Sequence, residues 1–294
     1  MRVAVIDVGS NTARLLVADV DGTLAPVREE RSYLGLAADI LRHGFVTPGK
    51  RDEAASVAGR YARLAARLGA EEVAAVVTAP GRQGTGAEEL VGALTRAVGR
   101  PVRILSADDE GRFAFLGATA RLDRDSGVLA VCDVGGGSTE IAVGTVLLGP
   151  AWIRSADVGS LRLTRLFLEG DPPRRASVER ARAEVRRELE ELSPPRVDLA
   201  LAVGGSARAV AKIVGPRLDA EGLDEATALA GRRSAAKLAR VFGFDAARAE
   251  TVLAGALVLS EVARTLDAPL RLGRGGLRDG IALTLARRSA ARAA

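Results

Sequence analysis

Ala4-Val5-Ile6-Asp7-Val8-Gly9-Ser10-Asn11-Thr12 recurs without a gap 126 residues later as Ala130-Val131-Cys132-Asp133-Val134-Gly135-Gly136-Gly137-Ser138. Each copy is an apolar run short enough for a buried strand, ending in an aspartate. A glycine turn and a cluster of hydroxyl or amide side chains follow. The chain then enters a second strand, Arg14 to Val17 in one copy and Glu140 to Val143 in the other. A strand-turn-strand unit repeated at this distance predicts two related domains and a pseudo-twofold molecule with a cleft between its halves.

Working outward, short apolar runs alternate with helix-periodic segments, the pattern of an α/β protein. Strands are expected at Val3 to Asp7, Arg14 to Val20, Val73 to Val77, Val102 to Leu105, Val128 to Cys132, Ile141 to Leu147 and Leu199 to Val203. The clearest helix is Arg51 to Leu68, where Val57, Tyr61, Leu64 and Leu68 share a face. Further helices are expected at Glu88 to Val98, Glu110 to Leu122, Val178 to Leu192, Ser206 to Val214, Ser234 to Phe242, Ala246 to Leu266 and Leu277 to Arg288. The polar stretch Asp123-Arg124-Asp125-Ser126-Gly127 marks a boundary, dividing the chain into domains 1–126 and 127–294. Glu169 to Ser177, with Pro172 and Pro173, reads as a loop.

Composition narrows the chemistry. The chain has 294 residues, 48% hydrophobic and 27% charged, enough to build a sizeable core. A single cysteine, Cys132, excludes disulfide frameworks and multi-thiolate metal sites. A single histidine, His43, sits in a polar segment before Pro48 and reads as a surface residue, so catalysis falls to carboxylates, hydroxyls, arginines and backbone amides. Cys132 itself reads as a small buried hydrophobe. The net charge is +5, and of 42 basic residues only Lys50, Lys212 and Lys237 are lysine. Most arginines are interleaved with carboxylates, as solvated helix faces are. Aromatics make up 3%, too few for a nucleic-acid stacking platform. The apolar run at Val3 is too short for a signal peptide, and Val252 to Leu259 is broken by Ser260 and Glu261 before it could span a bilayer. The expectation is a cytoplasmic protein that engages neither membrane nor nucleic acid.

Glycine in the two turns lets backbone N–H groups approach an anion with no Cβ in the way. Ser10, Asn11, Thr12, Ser138 and Thr139 add neutral donors. Asp7 and Asp133 would repel a bare phosphate, so their role is to hold a hydrated divalent cation that bridges to it. Either turn alone is equally an ordinary tight hairpin; two at matched positions favour phosphate and cation binding. Gly204-Gly205-Ser206, opening a helix after a strand, could offer amides to an anion or serve as a plain turn.

Val5 to Thr12 and Cys132 to Glu140 resemble the two phosphate loops of the exopolyphosphatase/guanosine pentaphosphate phosphohydrolase family. Thr78 to Gln83 is similar to that family's T-x-x-x-R-Q segment, and Ser106 to Phe113 to the segment usually written S-G-x-E-E-A-R-L. Gly159 to Leu163, Val203 to Ala209 and Gly275 to Gly280 match in turn, so the resemblance spans essentially the whole chain. Departures are Ala107 for a glycine, Asp109 for the first glutamate of the pair and Gly111 for an alanine. The chain looks like the family's short form, without its C-terminal helical domain.

The resemblance implies two actin-like domains of the sugar kinase/actin superfamily, ribonuclease H-like in fold. It implies release of terminal orthophosphate from inorganic polyphosphate, with short chains preferred, or from guanosine pentaphosphate. Glu110 matches the position to which the family assigns catalysis. A carboxylate there can align a water with the terminal phosphorus and take its proton, although a helix-start glutamate is by itself unremarkable. Arg82, expected on a loop, falls on the family's arginine. Phosphate binding is thus carried by Gly9, Ser10, Asn11, Thr12, Arg82, Gly135, Gly136, Gly137 and Ser138, and Mg2+ (or Mn2+) by Asp133, Glu140 and Asp7. A homodimer is common in the family. Competing expectations are an ATP-dependent kinase of the same fold, which would lack the Glu110 segment, and a non-catalytic sensor of alarmone or polyphosphate.

Overall fold

Strand β1 (Arg2–Val8) carries the first apolar run, and Val3, Ala4, Val5 and Ile6 are all inaccessible to solvent. Burial on both faces is what a central strand flanked by helices demands. The structure, a computed structural model, describes residues 1–123 and 125–293. β1 runs antiparallel to β2 (Thr12–Asp21), which pairs with β3 (Thr23–Tyr33). After α1 (Leu36–His43) and α2 (Pro48–Arg67), β4 (Glu72–Val77) lies parallel to β1 on its other side. The one-turn helix α3 (Pro80–Gln83), α4 (Ala87–Val98), β5 (Val102–Ile104) and α5 (Ala107–Thr119) follow. The sheet order is β3-β2-β1-β4-β5.

The sequence reading missed β3. The strand pairs on one side only, so most of it faces water and carries charge, and it holds Pro26. Its register with β2 slips between Val17 and Ala18, whose partners are Arg28 and Pro26, so Val27 is passed over. Edge strands tolerate both a proline and a bulge, and both erase the alternation by which strands are read.

The second unit, Leu122–Gly276, repeats the plan. β6 (Leu129–Val134) pairs antiparallel with β7 (Thr139–Thr145), and β7 with β8 (Gly149–Ala156). After α6 (Ser160–Phe167) and α7 (Arg175–Leu189), β9 (Leu199–Val203) lies parallel to β6. Next come α8 (Gly204–Val214), β10 (Arg217–Leu218), α9 (Ala220–Gly231), α10 (Ala235–Phe242), α11 (Ala246–Thr265) and β11 (Leu270–Leu272). The order is β10-β11-β9-β6-β7-β8. Helix α11 is buried from Thr251 to Val262, a mostly apolar stretch whose Glu261 is paired with Arg182, Arg186 and Arg264. No helix of the described residues is long and apolar enough to cross a membrane.

The last helix, α12 (Leu277–Ala293), packs with the first unit, Met1–Arg121. A division at residue 126 assigns it to the second domain instead; the interior contacts are with β1, β2 and α5. Ile281, Ala282, Leu283 and Ala286 share a buried cluster with Val3, Val5 and Leu16. Gly280 permits this approach, since a Cβ there would lie 1.9 Å from the Phe113 carbonyl oxygen. Arg124, within the stretch read as the boundary, lies outside the described residues. The loop expected from Glu169 to Ser177 is cut short, because α7 begins at Arg175.

Candidate active site

In both units the loop after the first strand closes in the same way. Gly9 N–H donates to the Thr12 carbonyl at 3.0 Å, and Gly135 N–H to the Ser138 carbonyl at 3.0 Å. The gapless sequence repeat is thus a repeat of hydrogen bonding. Each loop is held by the chain entering the next helix. Leu34 and Gly35 N–H donate to the Asn11 carbonyl and Ala37 N–H to that of Ser10. In the second unit Ser160 N–H donates to Gly135 O, and Leu161 and Arg162 N–H to Gly136 O, at 2.9–3.0 Å. The Ser160 hydroxyl adds a bond to Gly135 O at 3.1 Å. Both loops therefore spend their carbonyls on their own fold, and donor chemistry is what they have to offer a ligand.

Asn11 Oδ1 is buried and accepts no hydrogen bond among the described residues. A buried acceptor without a donor is costly. A phosphate oxygen cannot satisfy it, whereas a water carried by a cation can.

The rows of side chains that cross the sheets at the loops differ. Asp7 stands opposite Arg14 on β2, and Arg14 opposite Arg31 on β3. In the second unit Asp133 stands opposite Glu140 on β7, and Glu140 opposite Ser155 on β8. Residues directly opposite across strands lie on one face of the sheet. The first row therefore holds one carboxylate and two guanidiniums, the second two carboxylates and a hydroxyl. Glu140 is 3% exposed and accepts from the Ser155 hydroxyl at 3.0 Å. Beside Asp133 lies Gly204, at φ +82°, where a Cβ would stand 2.2 Å from Oδ1. The turn that sequence left open between anion site and plain turn thus makes room for the aspartate.

Two carboxylates on neighbouring strands, one of them buried, are hard oxygen donors of the kind Mg2+ takes. That ion uses one or two carboxylates and completes its shell with waters and phosphate oxygens. No group of three or more His, Cys, Asp or Glu gathers into a metal cluster among the described residues.

Arg82 and Glu110 meet. Arg82 sits in α3, not on an extended loop, because Pro80 presets the backbone for a helical turn. That turn leaves β4 at Thr78, whose N–H donates to Val8 O beside the first loop. Glu110 lies in the first turn and a half of α5, whose N-cap Ser106 accepts from Asp109 N–H at 3.0 Å. Capping of this kind contributes about 1 kcal/mol. Arg82 Nη1 donates to Glu110 Oε1 and also to the Leu105 carbonyl at 2.6 Å. The Glu110 side chain is 11% exposed, so it is not the solvated carboxylate that helix starts usually carry.

His43 ends α1, exposed, with Asp39 at 3.8 Å, as a surface residue should be. Cys132 is fully buried, and desolvation pushes its thiol up to about 12; it is no nucleophile. Sequence reading missed Arg14, Arg31 and Ser155. Arg14 was detectable, since it occupies in the first copy the place of Glu140 in the second.

The Ppx/GppA phosphatase family profile matches residues 15–289. Exopolyphosphatase 1 of Mycobacterium tuberculosis is 32% identical over 302 residues, covering 96% of this chain and 88% of that protein. Guanosine-5'-triphosphate,3'-diphosphate pyrophosphatase of Vibrio vulnificus is 24% identical, covering 95% of this chain and 58% of that one. The solved Ppx/GppA structure from Aquifex aeolicus is similar at a TM-score of 0.84 and 26% identity, over 98% of both chains.

Proposed function

The chain belongs to the Ppx/GppA phosphatase family and is a phosphoanhydride hydrolase, and we propose that it releases terminal orthophosphate from inorganic polyphosphate or guanosine pentaphosphate with a divalent cation. The observation that carries this reading is the pair of matched loops, one beside the Arg82–Glu110 pair and the other beside paired carboxylates.

In this reading the first unit brings Glu110 and Arg82. Glu110 orients a water in line with the terminal phosphorus and accepts its proton as the P–O bond to the leaving phosphate breaks. Arg82 turns part of its guanidinium to the phosphate oxygens. The loop amides with Ser10, Asn11, Thr12 and Ser138 hold the phosphate chain. The second unit brings Asp133 and Glu140 for Mg2+ or Mn2+, which would neutralise phosphate charge. Asp7 is a further carboxylate for the cation's water shell.

Short chains or the nucleotide are the preferred substrates. Several exposed arginines that could track a long polyanion are instead paired with neighbouring carboxylates: Arg187 with Glu184 and Glu188, Arg165 with Glu250, and Arg180 with Glu169. The test is orthophosphate release from polyphosphate, guanosine pentaphosphate and ATP, with and without Mg2+. No release from the first two, or full release under excess chelator, overturns the proposal. Gels of long polyphosphate at partial digestion should show the whole population shortening. Intact chains beside free orthophosphate would instead show processive cutting.

A further inference from the structure

The row Asp133, Glu140, Ser155 crosses β6, β7 and β8 on one face of the sheet. Two like charges directly opposite are unfavourable, and Glu140 endures this at 3% exposure. A buried carboxylate needs donors to fix it. The Ser155 hydroxyl supplies one, to Oε1 at 3.0 Å, while Ser155 itself remains exposed on the sheet edge. Such a contact stabilises little, because the hydroxyl could equally bond to water. Its consequence is orientational: it draws Oε1 toward β8 and so restricts how Glu140 presents its carboxylate.

We propose that Ser155 is a positioning residue for the cation, acting through Glu140. This rests on the reading that Asp133 and Glu140 hold Mg2+ or Mn2+. Groups that hydrogen-bond to metal ligands typically set affinity by 10–100-fold. The edge strand β8 thereby gains a role that its exposure conceals.

The test is Mn2+ binding to the full chain, followed by electron paramagnetic resonance with inorganic phosphate present and no turnover. Ser155→Ala should weaken Mn2+ binding by roughly tenfold or more, leave the melting temperature nearly unchanged, and be rescued by Ser155→Thr. In steady state, the Mg2+ concentration for half-activation should rise by a similar factor, with kcat at saturating metal close to the parent's. Asp133→Asn is the control and should abolish binding. If Asp133→Asn loses Mn2+ while Ser155→Ala binds it like the parent, the positioning role is wrong and the cation site stands. If the parent binds no Mn2+, or Asp133→Asn binds it unchanged, the cation reading itself fails and takes this inference with it.

Discussion

The two loops share a sequence pattern, a hydrogen-bonded closure and a clamp from the following helix, yet the side chains opposite their aspartates are reversed in charge. Asp7 faces Arg14 and then Arg31; Asp133 faces Glu140 and then Ser155. The first row sums to one positive charge, the second to two negative. Under the proposed function the rows suit different tasks: donors suit phosphate oxygens, and carboxylates suit a cation. The same strand-turn-strand geometry occurs twice, and Arg14 or Glu140 after each loop sets the charge of its row. Glu110 and Arg82 belong to the unit whose row carries the net positive charge.

Each half of this comparison can be broken separately. The largest effect belongs to Glu110→Gln, which keeps the shape and loses the base. Turnover should fall about 10²–10⁴-fold, while Mn2+ binding and KM stay near the parent's. A fast Glu110→Gln beside an inactive Asp109→Asn would show that the wrong carboxylate was chosen. Asp133→Asn should do the opposite, removing Mn2+ binding first and activity as a consequence.

Reversing the first row comes next. Arg14→Glu would give it the carboxylate pair of the second. Substrate affinity should drop by about tenfold, the loss expected when a charge-assisted contact worth ~1.5 kcal/mol is removed, with a smaller change in kcat. An unchanged KM would mean that the charge difference between the rows is incidental. Gly204→Ala tests the support beneath the second row. An alanine at φ +82° costs roughly 1–2 kcal/mol, and its Cβ must displace Asp133 Oδ1. A lowered melting temperature together with weaker Mn2+ binding is expected; lowered stability with unaltered binding would uncouple Gly204 from the cation.

The smallest effect lies away from the loops, at Asp279 in the first turn of α12. Burial pushes its carboxyl above the usual range, outweighing the neighbouring Arg278 and Arg121. A raised pKa means that the folded state favours the protonated form. The group's contribution to stability is therefore fully present below the unfolded pKa of about 3.9 and lost as pH rises through the folded value. Asp279→Asn, permanently neutral, should melt higher than the parent at pH 7, and the difference should vanish in acid. A variant that melts lower at pH 7 would show that the charged form is held by donors which the asparagine cannot replace.

The sequence by itself determined the α/β class, the two matched loops and nearly every central strand, because these depend on local apolar runs and on glycine. It also named Arg82, Glu110, Asp133 and Glu140 by their motifs. Tertiary structure alone decided the rest. Edge strands β3 and β8 escaped reading because each holds a proline and a slip in register, which erase the alternation, and with them went Arg31 and Ser155. A row across a sheet is set by pairing register, which here joins residues 24 positions apart, Asp7 and Arg31, and leaves no local trace. Helix α12 returns to the first unit because Gly280 and an apolar face find β1 and α5 there. Chain order gives no hint of that packing, since burial of apolar area is indifferent to sequence separation.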